Sequence, residues 1–157
     1  MQQIFYFDTS VFGGVYDMEF DTESLLLFDK VKQGKIICMY SDFTESELLR
    51  APENVRNYFK SLPAEMMKRV VATPEIVALA SKYINEKVVG QTSFDDCIHI
   101  AAATIHKADI LVSWNFKHIV NVYRIRGYNA INLHCGYQTL EIRSPKDIVN
   151  YENESSK

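Results

Sequence analysis

Short, continuous apolar runs alternate along the chain with longer segments whose apolar residues recur at helical spacing. Residues 4–7 form one such run before Asp-Thr-Ser, which predicts a buried strand that turns into a helix. Residues 22–31 have helical spacing, and Gly34 ends that pattern. The same criteria predict further strands at 35–40, 109–113 and 130–133, and helices at 41–50, 53–61, 64–70, 75–88, 94–106, just after Asn115 and at 145–151.

This order of elements indicates the fold class. Continuous apolar strands that alternate with helices are typical of a parallel sheet covered on both faces, and therefore of an α/β fold. The chain has 157 residues and contains no internal repeat, low-complexity segment or linker. We therefore expect a single domain over residues 1–151, followed by a polar tail at 152–157.

Composition narrows the class of protein. The hydrophobic fraction is 47% and the charged fraction 24%, as in ordinary globular domains. Cys38, Cys97 and Cys135 are widely spaced and include no Cys-x-x-Cys pair, which favours a reducing compartment and argues against a zinc cluster. The sequence begins with no signal-peptide pattern, and no apolar stretch approaches the ~20 residues that cross a bilayer. We expect a cytoplasmic protein without a membrane anchor.

The charge distribution is uneven. The formal net charge is -3, which does not by itself indicate a nucleic-acid-binding protein. Residues 1–30 are strongly acidic, whereas residues 111–143 carry four basic residues against Glu141 alone. A local basic surface is one interpretation of this segment, and an ordinary solvated face is the simpler one.

Polar residues follow the ends of three predicted strands. In parallel sheets, ligands bind beyond the carboxyl ends of the strands. Asp8 and Asn115 come directly after two strands, and Glu47 lies one or two turns past another. Asp96, in the first turn of the helix predicted at 94–106, is a fourth candidate. Each of the four has a structural alternative: Asp8 or Asn115 as a helix N-cap, Glu47 in a capping box with Thr44, and Asp96 as a first-turn acid.

Taken together, these residues suggest a cation site. Carboxylates that gather without a cation repel one another, and one of them has to take up a proton. Magnesium prefers a few carboxylate oxygens together with water and substrate phosphates. Asp95 is an alternative to Asp96, but the two side chains point about 100° apart on a helix. We favour Asp96 because Ile100 and Ala103 extend its face.

Four motifs then resemble those of the PIN-domain family, in order and over nearly the whole chain. Residues 7–10 (Phe-Asp-Thr-Ser) resemble its opening motif, and Ser41, six residues before Glu47, is similar to its second. Residues 96–103 (Asp-Cys-Ile-His-Ile-Ala-Ala-Ala) resemble the third. Residues 113–116 (Ser-Trp-Asn-Phe) stand where the family has a motif after a strand.

The resemblance implies a PIN-like three-layer α/β/α sandwich around a parallel sheet of four to five strands. It also implies Mg²⁺ or Mn²⁺ bound by Asp8, Glu47 and Asp96, with Asn115 as a further catalytic residue. The implied activity is endonucleolytic hydrolysis of RNA, as in VapC-type toxins, with a protein antitoxin as partner and a homodimer as the expected assembly. Asn115 departs from the Asp common in the family, which leaves open a weak or inactive module that binds RNA or protein.

Further residues have supporting interpretations. Ser10 and Ser113 are expected to support the carboxylates, Ser10 through a hydrogen bond to Asp8 or to a metal-bound water. Trp114 is a candidate to stack on an RNA base, with plain packing as the alternative. Phosphate contacts are expected from Lys117, Arg124 and Arg126.

Two histidines have a structural interpretation. His99 and His106 share a face of the predicted helix at 94–106, but they lack His-x-x-x-His spacing. We interpret them as packing residues rather than as metal ligands. A nicotinamide or flavin enzyme is disfavoured because Gly13-Gly14 is no Gly-x-Gly-x-x-Gly fingerprint.

Overall fold

The computed structural model describes residues 2–155, and side chains through residue 150. Its strands are β1 Gln3–Phe7, β2 Ile36–Ser41, β3 Met67–Val70, β4 Ile110–Val112 and β5 Glu141–Arg143. Its helices are α1 Thr9–Gly14, α2 Asp21–Lys32, α3 Asp42–Leu49, α4 Glu53–Ser61, α5 Pro74–Asn85, α6 Phe94–Ile105, α7 Val122–His134 and α8 Pro145–Ser155. Short 3-10 turns occupy Ala64–Met66 and Gln91–Ser93.

The five strands form one sheet in the order β3-β2-β1-β4-β5, and every pair is parallel. The chain builds outward from β1 to β3 and then returns to the other side of β1 to add β4 and β5. The direction of winding therefore reverses between β1 and β4. Such a reversal opens a crevice beyond the carboxyl ends of the two strands, where ligands bind in open α/β sheets.

Helices cover both faces of the sheet, as the sequence predicted. Alternate residues of β1 point to opposite faces, so Tyr6 packs with the helices α5, α6 and α7. Phe5 and Phe7 belong to the other core, which includes residues of α1, α2, α4 and α8. The result is the three-layer α/β/α arrangement with a central parallel sheet.

The helix beginnings follow from capping residues in the sequence. Ser41 caps α3: its hydroxyl accepts from the N–H of Thr44, and the Thr44 hydroxyl accepts from the N–H of Ser41. Thr73 caps α5 just before Pro74. Asn121 caps α7 by accepting from two backbone N–H groups.

The prediction of a helix at 64–70 was wrong. A 3-10 turn is followed there by β3, which pairs with β2 at the edge of the sheet. Met66 and Val70 are buried, while Lys68 and Arg69 are exposed. Charged residues are common on edge strands because they discourage pairing with other chains, and here they conceal the strand pattern.

The prediction of a strand at 130–133 was also wrong, because these residues lie inside α7. Tyr128 and Asn132, four residues apart, are the buried positions of that helix. The short helix predicted just after Asn115 is a series of turns that precede α7. The strand that follows in the chain is β5, in which Ile142 is the buried residue.

The carboxyl-terminal helix is longer than predicted. It continues past residue 151 to Ser155, so part of the expected tail at 152–157 is helical, and the last two residues lie outside the described part. Cys38, Cys97 and Cys135 are free thiols, the first two buried. Among the described residues, no helix combines the length and the apolar character needed to cross a membrane.

Candidate active site

The acids, serines and asparagine selected from the sequence lie together near the carboxyl ends of β1 and β4. Asp8 follows β1 directly, and Ser113 and Asn115 follow β4. Glu47 comes from α3, which begins where β2 ends, and Asp96 lies in the first turn of α6. The topology thus gathers side chains separated by up to about a hundred residues of sequence.

Asp8 is held by two serines. The hydroxyls of Ser10 and Ser113 both donate to Asp8 Oδ2, each at 2.8 Å. The N–H of Trp114 donates to Ser10 Oγ at 3.0 Å, and that of Asn115 donates to Ser113 Oγ at 2.9 Å. Asp8 occupies the N-cap position of α1, but its side chain makes no capping hydrogen bond. The predicted contact of Ser10 with Asp8 is confirmed, and the interpretation of Asp8 as a side-chain cap is not.

Glu47 is held through one of its two carboxylate oxygens. Thr9 Oγ1 donates to Glu47 Oε1 at 3.1 Å, and His99 Nε2 also contacts Oε1. The capping box at the start of α3 is formed by Ser41 and Thr44, so Glu47 has no capping role. Its side chain is 28% exposed and therefore reaches solvent at the crevice.

His99 lies at the centre of the site, although the sequence analysis treated it as a packing residue. Its side chain is fully buried, and its Nε2 is 3.8 Å from Asp8 Oδ1 in addition to the contact with Glu47. Its Nδ1 is 2.6 Å from Tyr6 Oη, while the Tyr6 hydroxyl donates to Ser41 Oγ at 2.8 Å. Both ring nitrogens therefore face acceptors, which favours the doubly protonated imidazolium.

Asp96 contacts Asn115 across the crevice. Asn115 Nδ2 donates to Asp96 Oδ2 at 3.3 Å, and Asn115 Oδ1 accepts from the backbone N–H of His118 at 3.0 Å. Because a backbone N–H can only donate, the second contact fixes the amide orientation. The amide oxygen therefore caps the following turn, and the amide nitrogen faces the Asp96 carboxylate. Asp95 is exposed, which supports the choice of Asp96.

The gathered carboxylates change the acidity of Asp96. Burial, together with the negative charges of Asp8 and Glu47, raises the pKa of Asp96 to about 6, although His99 acts in the opposite direction. A carboxyl group with this pKa is partly protonated near pH 6, so the metal-free site reduces its own repulsion by retaining a proton.

The pKa values of Glu47 and His99 move in opposite directions, as in an ion pair. Burial alone would raise the pKa of Glu47, but the hydrogen bond and charge of His99, with Thr9 and Arg50, lower it. Burial alone would lower the pKa of His99, but Tyr6, Glu47 and Asp8 raise it well above its usual value. His99 therefore supplies positive charge inside an acidic crevice.

Each carboxylate uses one oxygen for hydrogen bonds with the protein. Asp8 Oδ2, Glu47 Oε1 and Asp96 Oδ2 accept the bonds described above. Among the side chains that the structure describes, none donates a hydrogen bond to the second oxygen of any of the three. Asp8 Oδ1 lies 3.8 Å from His99 Nε2, which is an ion-pair contact longer than a hydrogen bond. Carboxylate oxygens of this kind suit Mg²⁺ or Mn²⁺, which prefer oxygen ligands. In the described part of the chain, however, no three His, Cys, Asp or Glu side chains stand close enough to be a ready-made metal site.

Trp114 lies in the core rather than on the surface where RNA stacking was expected. Its side chain is 7% exposed and stacks on Phe20, with ring centroids 4.2 Å apart and planes 20° apart. Its Nε1 donates to Ser24 Oγ at 2.9 Å. Both the ring face and the polar atom are thus engaged inside the protein, so the packing interpretation is the one the structure supports.

The basic residues differ in their availability to a phosphate backbone. Arg124 Nη1 contacts the carbonyl oxygen of Val88, so its guanidinium is tied to the protein. Lys117 and Arg126 are exposed, the first in the turns after β4 and the second on α7. The structure therefore leaves these two as the stronger candidates for phosphate contact.

A sequence signal for His99 did exist. Asp96 and His99 are three residues apart on α6, and residues with this spacing lie on the same face of a helix. A helix that presents Asp96 to the site therefore also presents His99 to it. The apolar run around His99 instead suggested a residue that only packs.

Comparison with solved structures identifies proteins with a similar fold. A chain of the crystal structure of VapBC2 from Rickettsia felis, bound to a DNA fragment from its promoter, matches with a TM-score of 0.58 at 11% identity, covering 90% of this chain and 98% of that one. A chain of DNA-bound VapBC from Salmonella typhimurium matches with a TM-score of 0.58 at 13% identity, covering 92% and 99%. No family model and no curated protein sequence matches this chain. The shared feature is the fold, a five-stranded parallel α/β architecture consistent with the PIN-like arrangement that the motifs imply.

Proposed function

We propose that this protein is a metal-dependent endoribonuclease that hydrolyses RNA phosphodiester bonds and acts as a VapC-type toxin. The observation that carries the proposal is the meeting of Asp8, Glu47 and Asp96 at the crevice of a fold shared with VapBC structures. Burial raises the pKa of Asp96, and the negative charges of Asp8 and Glu47 raise it further, which is consistent with three carboxylates that lie close together.

The residues of the site have distinct roles in this proposal. Asp8, Glu47 and Asp96 are the residues that would hold Mg²⁺ or Mn²⁺, which prefer oxygen ligands. When bound, such a cation lowers the pKa of a water molecule and offsets negative charge on the scissile phosphate. Ser10 and Ser113 orient Asp8. The negative charges of Asp8 and Glu47 favour retention of the Asp96 proton in the empty site, and positive charge from a cation would favour its release.

Substrate and partners follow from the same proposal. Lys117 and Arg126 contact the RNA backbone, because both are exposed cations in the segments that follow β4. A protein antitoxin is the proposed partner, since the matching solved structures are VapBC assemblies bound to DNA. We also propose a homodimer and a cytoplasmic location, the latter in keeping with three free thiols.

A second candidate is a PIN-like module that binds RNA or protein with little or no catalysis. Asn115 favours it, because this residue brings no charge to the site and its amide oxygen caps a turn. Such a module retains RNA or partner binding but does not depend on the carboxylates for any cleavage.

Induced expression followed by sequencing of RNA ends separates the two candidates. The wild-type protein should generate new RNA ends within minutes, and Asp8→Asn, which preserves the shape of the side chain, should generate none. The amide of the variant can still accept a hydrogen bond from Ser10 or Ser113, so the fold should be retained. If wild type and Asp8→Asn give the same RNA ends at equal protein levels, the proposed nuclease activity is contradicted.

A further inference from the structure

A buried row of hydrogen-bonding groups reaches Glu47 from the inside of the protein. It runs from Ser41 Oγ through the Tyr6 hydroxyl to His99 and ends at Glu47 Oε1. Ser41, Tyr6 and His99 are all fully buried. A polar row this deep in a core is costly unless every group is satisfied.

The row extends beyond what the fold requires. The capping of α3 needs Ser41 and Thr44, which satisfy each other through two hydrogen bonds. It does not need the Tyr6 hydroxyl or His99, since neither takes part in those two capping hydrogen bonds. Together, the Tyr6 hydroxyl and the His99 ring place an N–H donor against a single oxygen of Glu47.

This contact constrains the direction of the Glu47 carboxylate. Thr9 Oγ1 donates to the same oxygen, Oε1, so two donors from different elements hold one side of the group. The other oxygen, Oε2, accepts no hydrogen bond from any side chain through residue 150. A long Glu side chain has several rotamers, and fixing it in advance removes the entropy loss that a ligand would otherwise impose.

We propose that His99 is a positioning residue that holds Glu47 through its Oε1, so that Oε2 is presented to the cation, and that Tyr6 fixes the plane of the His99 ring. The inference rests on the proposed function, because it concerns the same metal site. Hydrogen-bond partners of metal ligands orient those ligands, and their loss typically lowers metal affinity by about 10- to 100-fold.

Mn²⁺ affinity measured by calorimetric titration at a single pH tests this role without reference to catalysis. His99→Leu removes the donor and should weaken Mn²⁺ binding by about tenfold or more. His99→Gln retains an N–H donor and should recover part of that loss. Tyr6→Phe preserves the aromatic ring, removes only the hydroxyl and should weaken binding by a few-fold. His106→Gln is the matched control, because His106 follows α6 at its far end and should leave the affinity unchanged.

The outcomes distinguish this inference from the proposed function. A packing role for His99 predicts a lower melting temperature but the same Mn²⁺ affinity in every folded variant, and that result would overturn the inference. Equal or tighter binding by His99→Leu would overturn it as well. If His99→Leu does not fold, His99→Gln and Tyr6→Phe decide the question by the same criterion. Failure of the wild-type protein itself to bind Mn²⁺ would contradict the proposed function and the inference together.

Discussion

At the residue scale, the site consists of acids whose charges are only partly compensated. Glu47 has a cationic neighbour in His99, whereas Asp96 has the neutral amide of Asn115 and retains a raised pKa near 6. A site arranged in this way is unfavourable for the empty protein and favourable for a cation. Substitutions that change the charge of these residues should therefore change the stability of the metal-free protein in a predictable direction.

The raised pKa of Asp96 should make the folded protein less stable as pH increases. The folded state holds the Asp96 proton up to about pH 6, whereas the unfolded chain releases it near 3.8, so stability declines between these values. Asp96→Asn should remove this decline in stability, because an amide does not titrate in this pH range. In chelator, we compare the free energy of unfolding of Asp96→Asn with that of wild type. The difference should shift in favour of the variant by about 1–2 kcal/mol between pH 4 and pH 7, after allowance for solvent screening.

Urea unfolding of both proteins at the two pH values measures this difference. Asp95→Asn is the matched control because Asp95 is adjacent in sequence but exposed, so its relative stability should change much less. An Asp96→Asn protein whose relative stability is the same at pH 4 and pH 7 would show that Asp96 is not held in the acidic crevice.

Asn115→Asp should affect stability according to whether metal is present. The new carboxylate can keep the capping bond to the His118 N–H, but its other oxygen would face Asp96. In chelator the repulsion should lower the melting temperature. With Mn²⁺ the added charge should tighten binding by up to about tenfold, which corresponds to ~1.4 kcal/mol.

Thermal melts of wild type and Asn115→Asp, each in chelator and in Mn²⁺, test this expectation. If Asn115 serves only as a cap, the substitution changes little, because Asp caps about as well as Asn. A melting-temperature shift of equal size in both conditions would exclude Asn115 from the metal site.

At the element scale, α1 brings its backbone unusually close to the residues that follow β4. A Cβ atom added at Gly14 would lie 2.6 Å from Ser24 Oγ and 2.8 Å from Trp114 Nε1, the two atoms that share a hydrogen bond. At Gly13, in the same helix, an added Cβ would meet no atom within 4 Å. The two adjacent glycines therefore form a matched pair.

Gly14→Ala should destabilise the protein by about 1–3 kcal/mol, because it forces Trp114 and Ser24 apart in a filled core. Gly13→Ala should be neutral or stabilise by up to about 1 kcal/mol, since Ala favours helix over Gly. Chemical denaturation of the two variants measures the contrast. Equal effects of both substitutions would mean that the close packing of α1 against Trp114 is incorrect.

Particular residues and strands also show which parts of the structure could be predicted from the sequence. Asp8 was predictable because it directly follows a continuous apolar strand, and Glu47 because α3 begins at the end of β2. The strand β5 was not, since it contains three residues of which Ile142 alone is buried. His99 was overlooked because its role depends on Tyr6 and Glu47, which are distant in sequence, and its local apolar pattern reports only burial.

At the scale of the whole molecule, the proposed binding of a polyanion has to be reconciled with a formal net charge of -3. The sheet reverses direction between β1 and β4, and the acids gather at that crevice. The exposed cations Lys117 and Arg126 follow β4 in the chain. A bound cation would then compensate the carboxylates locally, where the net charge of the protein has little influence because of ionic screening.

The most direct test of the central claim is cleavage of single-stranded RNA by the purified protein, followed with Mn²⁺ and with chelator, for wild type and Asp8→Asn. We expect cleavage by wild type with Mn²⁺, and no cleavage in chelator or by Asp8→Asn. Cleavage that persists in chelator, or that Asp8→Asn performs as well as wild type, would contradict it.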